Sequence, residues 1–127
     1  MGSIDMAERV RVRNGWAVEG DHVVVPLPSG RRQAVHTETI DDDGRTFLRL
    51  TAVVGEASRL GDVRLRAALT LNAELHTGAI AISGDSLVLT DSFPVSSVDV
   101  DTLDAAMRFL AATADQYEGI LFGTDAN

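Results

Sequence analysis

The 127-residue chain contains no cysteine and no lysine. Without cysteine there is no disulfide, no thiol nucleophile and no thiolate zinc site, and redox compartment leaves no mark on the sequence. Without lysine there is no Schiff-base chemistry and no phosphate-loop lysine; Gly-x-Gly-x-x-Gly and Gly-x-Ser-x-Gly are absent as well. No run approaches the roughly 18 apolar residues that span a bilayer. No basic segment followed by an apolar stretch marks a signal peptide, so a cytoplasmic location and no membrane partner are expected. Proline occurs 3 times, each time near the end of an apolar run, where it limits a strand.

What is present suits one soluble domain over residues 1–127: 45% of the residues are hydrophobic and 24% charged. A chain of this mass buries about two-thirds of its unfolded surface, enough for a core without staples. The formal net charge is −8, and it is unevenly placed. Residues 1–66 hold 10 of the 11 arginines against 10 acidic residues, while residues 67–127 hold Arg108 alone against 9 acids. An acidic field repels phosphate backbones, so no nucleic-acid partner is expected. The arginine-only set reads most simply as the mark of a genome rich in G and C, with bidentate carboxylate pairing as the alternative.

Along the chain, Arg9, Arg11 and Arg13 alternate with Val10 and Val12, a period-2 pattern that suggests a strand or extended arm, with a short helix over 4–13 as the competitor. Asn14-Gly15 signals a turn, and Trp16-Ala17-Val18 is extended. Residues 22–27, 32–40 and 46–54 are then three strands joined by Pro28-Ser29-Gly30 and by Asp41-Asp42-Asp43-Gly44, an antiparallel meander. Val63 to Leu75 alternates strictly but is long, rich in Leu, Ala and Arg and poor in β-branched residues, which favours a helix. Residues 78–82 and 86–90 form a hairpin across Gly84-Asp85. A last helix starts at Asp99 or Asp101 and carries the stripe Leu103, Ala106, Met107, Leu110, Ala114 and Tyr117, with Asp104 off it and Gly119 as a stop.

Candidate chemistry is thin. His22, His36 and His76 lack local metal-ligand spacing, so no metal and no cofactor are expected. Asp41 to Gly44 fails as a calcium loop because Leu50 falls where the bidentate Glu belongs. The aspartates at 99, 101 and 104 suit capping rather than acid–base catalysis. Trp16, the single Trp, is a candidate partner anchor or a core-edge residue. Asn72 interrupts the apolar face of the middle helix and is expected to bond a neighbouring backbone group. The leftover apolar surface of that helix, together with Ile120-Leu121-Phe122, points to a homodimer. Leu65 and Leu69 are central to it, Arg64 and Arg66 face acids of the second copy, and Asn72 and Trp16 are further interface candidates.

Three stretches taken in order resemble the YbjN family, which is grouped with type III secretion chaperone-like folds. They are Val23 to Leu27 with Gly30 to Gln33; Leu71 to Ile82; and Leu87 to Leu89 continuing through Leu110-Ala111 to Ala114-Glu118. The resemblance covers roughly residues 16–125. It implies an α+β fold, an antiparallel sheet of a three-strand meander plus a hairpin packed against helices. It also settles 63–75 as helix and leaves the family's opening helix missing or reduced before Gly15. It assigns no catalytic residue and associates relatives with sensory-transduction regulation. The implied function is a non-enzymatic domain, chaperone-like or regulatory, that binds an extended protein segment as a homodimer. The competing function is a small-molecule- or metal-binding enzyme with a polar pocket around His36 or His76.

Overall fold

A computed structural model describes residues 3–123. The chain opens with helix α1 (Ser3–Asn14), not with a strand. The arginine alternation has no structural counterpart. Ala7 and Val10 are the buried residues, one turn apart, and Val12 points to solvent. Arg11 pairs with Glu8 one turn earlier, and Arg11 and Arg13 sit in the last turn, where cations offset the helix dipole. The Asn14-Gly15 signal is a helix stop rather than a strand turn. Gly15 takes φ 71°, its N–H bonds the Val12 carbonyl, and the Trp16 N–H reaches back to the Arg11 carbonyl, the paired closure that a left-handed glycine permits.

Strands β1 (Ala17–Glu19), β2 (His22–Pro26), β3 (Arg32–Asp42) and β4 (Arg45–Glu56) follow, so the expected meander gains a strand at its front. The β3–β4 turn is Asp43-Gly44, both with positive φ (53° and 80°), the backbone that a two-residue hairpin of right-twisted strands requires. Helix α2 (Asp62–Leu71) then precedes a 3₁₀ turn (Asn72–Glu74) and the hairpin β5 (Ala79–Ser83) and β6 (Ser86–Pro94). The expected helix over 63–75 is therefore three residues shorter as α-helix. Helix α3 (Val100–Phe122) closes the described chain. Asp99 caps it, accepting the Thr102 N–H at 2.7 Å.

The six strands form one antiparallel sheet in the order β1-β2-β3-β4-β6-β5. Alternate residues Val23, Val25, Val35, Leu48, Leu50, Ala52, Leu87 and Leu89 meet Val10 of α1 and Leu103, Met107, Leu110, Ala114 and Leu121 of α3 in the core. Helix α3 runs past its expected stop at Gly119. Phe122 packs against Gly55 at the β4 bulge, where any added Cβ would lie 2.5 Å from the ring. Leu121 and Phe122 are thus buried, and of the apolar tail only Ile120 faces out. The other sheet face carries the register row Glu19, His22, His36, Thr51, Thr90 and Ala79, one residue from each strand. No helix among the described residues is long and apolar enough to cross a membrane.

Candidate functional site

Helix α2 and the edge strand β5 present the larger apolar surface. Among the described residues of α2 only Ala68 is buried; Leu65 is half-buried, and Arg66 is exposed. Leu69 is 64% exposed, with Ile82 of β5 at 57% beside it, and Val63 is 82% exposed elsewhere on the helix. Leu65, Ala68, Leu69, Ile80, Ile82 and Leu87 line an apolar hollow of about 160 Å³. A surface this apolar on a helix of an acidic protein is suited to another polypeptide, not to a charged metabolite.

Two of the residues expected there turn inward. Trp16 is buried in the core, with the Arg108 guanidinium 4.9 Å over its ring. Asn72 lies against β5: its Oδ1 accepts the Ile80 N–H at 2.7 Å and its Nδ2 donates to the Ile80 carbonyl at 3.3 Å. One side-chain amide thereby stands in for a strand partner at the free edge of the sheet, which is the backbone role its sequence position suggested. Arg64 is engaged as well. It donates to the Leu121 carbonyl at the end of α3, a helix end that carries no basic residue of its own. That contact takes Arg64 out of the pairing expected across a dimer.

A second cluster sits on the face of the sheet away from the helices. His22 and His36 are directly opposed across β2 and β3, their rings 5.3 Å apart and inclined at 51°. The Asp21 carboxylate lies between them, 3.0 Å from His22 Nδ1 and 3.2 Å from His36 Nδ1. His76 is not part of it. It is exposed in the segment before β5, and β4 and β6 lie between β5 and the strand of His36, so His36 and His76 share no site.

Asp104, expected on the exposed side of α3, is instead 8% exposed and the centre of a polar cluster. Its Oδ2 accepts from Arg13 at 2.6 Å and from Asn14 at 3.0 Å, and its Oδ1 from Arg108 at 2.6 Å. Burial pushes this carboxyl up, but the hydrogen bonds from Arg13, Asn14 and Arg108 outweigh it and bring the pKa down to about 2. Arg13 also reaches Asp101, so the cluster rivets α1 to α3. Every member has a partner, which makes it a structural rivet rather than a reactive site. A depression of about 790 Å³ between α1 and residues 98–101 contains the same Arg13–Asp101 pair.

In sequence, no family model matches the chain and no curated protein aligns with it. In structure, a chain of the ExsC–ExsE complex superposes with a TM-score of 0.62 at 14% identity, covering 95% of this chain and 97% of that one. The Yersinia pestis type III secretion chaperone SycH, solved in complex with a stable fragment of YscM2, gives 0.57 at 15% identity over 88% and 96%. YbjN from E. coli gives 0.51 at 16% identity over 98% and 92%. The fold is that of the type III secretion chaperones and of YbjN. The chaperone-like α+β arrangement inferred from three short sequence stretches therefore stands, with its front corrected by the presence of α1. The Asp21–His22–His36 cluster escaped sequence reading because His36 is brought from β3 against His22 at the start of β2 and Asp21 in the turn before it. The one signal that could have found it is symmetry: His22 and His36 lie equally far on either side of Ser29, in the turn that joins β2 to β3.

Proposed function

We propose that this chain is a non-enzymatic, chaperone-like protein, one domain over residues 1–127, that works as a homodimer and binds an extended segment of another protein. The homodimer is carried by the apolar surface of Leu65, Leu69 and Ile82 beside the edge strand β5, and the client by the fold, which is shared with a chaperone solved in complex with a protein fragment. Arg66 at the margin of that surface supplies charge complementary to acids of a second copy, such as Glu74. The acids of α3 are already engaged by arginines of the same chain, and the apolar α2–β5 corner is the dimer surface. The strongly acidic C-terminal half supports a protein client over nucleic acid, and the absence of lipid-seeking segments in the sequence supports a cytoplasmic role.

The test is an affinity-tagged chain expressed in its native host. A protein recovered in fixed stoichiometry, then purified and recombined, should show one segment newly protected from protease and extended in structure. Recovery of no stoichiometric protein by a folded chain, or protection of a globular domain instead of a segment, would contradict the proposal.

A further inference from the structure

We propose that Asp21, His22 and His36 form a binding site for a divalent transition-metal ion of the zinc, nickel or copper kind. Two imidazoles and a carboxylate are the ligand set that such borderline ions prefer, whereas magnesium and calcium favour all-oxygen sites. The geometry is close to complete. Ligand atoms about 2.0–2.1 Å from a tetrahedral zinc stand about 3.3 Å from one another; Asp21 Oδ1 lies 3.0 Å from His22 Nδ1 and Oδ2 3.2 Å from His36 Nδ1, one carboxylate oxygen facing each ring. The ligand-capable atoms of all three residues lie within 4.8 Å of one another, so a modest ring rotation closes the remaining gap.

Rigid elements hold these positions. The His22–His36 pair is fixed by the β2–β3 register, and Asp21 by the tight turn in which Gly20 takes φ 65°. Among the described residues, the ion-pair partners of Asp21 are these two imidazoles and no arginine, so no fixed cation competes for the carboxylate. Glu19 stands opposite His22 on β1 and is the nearest further carboxylate in the register row. The net charge of −8 draws cations to the surface as a whole. All three ligands are open to solvent, which leaves water to complete the coordination. This reverses the expectation from local spacing, and it is independent of the protein-binding role.

Titration calorimetry of the untagged full chain with zinc chloride tests it. One equivalent should bind, and His22→Ala and His36→Ala should each weaken binding by at least about tenfold, since even outer-shell changes cost that much. Asp21→Asn, which keeps shape but removes charge, should also weaken it, while His76→Ala should leave it unchanged. Because an ion that binds only the folded state raises its stability, zinc should raise the melting temperature of the parent and not of the two histidine variants. No stoichiometric uptake would overturn the site, as would uptake that survives both histidine substitutions or falls equally with His76→Ala.

Discussion

Asp104 and Leu110 lie six residues apart on α3, and they separate two kinds of burial. Leu110 is fully buried against the sheet, and its place on the apolar stripe is legible in the sequence from helical spacing alone. Leu110→Ala should cost about 2–5 kcal/mol in denaturant melts, the range for buried leucine truncations. Asp104 was not legible: an aspartate in the first turn of a helix fits capping, and nothing local shows that Arg13 and Asn14, about ninety residues away, reach it. Because its folded pKa lies below the unfolded value, the carboxylate stabilises the fold above about pH 4, and that contribution is lost as pH falls toward about 2. Allowing for solvent around the half-exposed arginines, Asp104→Asn should cost about 1–2 kcal/mol at neutral pH. Equilibrium melts of parent and variant should converge below about pH 2. A gap unchanged between pH 7 and pH 2 would mean that the ionised carboxylate is not what binds α1 to α3.

At the scale of elements, the hairpins were readable because turn chemistry is local: Asp43-Gly44 and Gly84-Asp85 each join paired strands. The opening helix was not readable as such. Its arginine alternation imitates a strand, and Asn14-Gly15 serves a helix end as readily as a strand turn. The middle helix ends early for a reason that only the fold supplies, namely that the Asn72 amide is drawn to the edge of β5. Ile80 is itself buried, so removing that amide leaves a backbone donor and acceptor without protein partners. Asn72→Ala should therefore cost about 1–3 kcal/mol and raise hydrogen exchange at the Ile80 amide. An unchanged exchange rate at Ile80 would show that water or another group replaces the side chain without loss.

At the scale of the molecule, the charge split in the sequence is reconciled by folding. Arginines of the first half pair with acids of α3: Arg13 with Asp101 and Asp104, and Arg31 with Asp115 at 2.7 Å and Glu118 at 3.6 Å. Arg13 and Arg31 each bridge two acids of α3 through separate guanidinium nitrogens. Of the candidate interface residues, Leu65 and Leu69 line the apolar α2–β5 hollow, and Arg66 is exposed on the same helix. Trp16 and Asn72 went inward because the helix packing behind Trp16 and the strand edge beside Asn72 are tertiary features. Light scattering coupled to size exclusion, at tens of micromolar, tests the homodimer most directly. The parent should have a mass of about 27 kDa, twice the 13.5 kDa chain, and Leu69→Asp should return it to the mass of one chain without loss of helix signal. A parent that runs as a monomer, or a dimer indifferent to Leu69→Asp, would contradict an α2 interface.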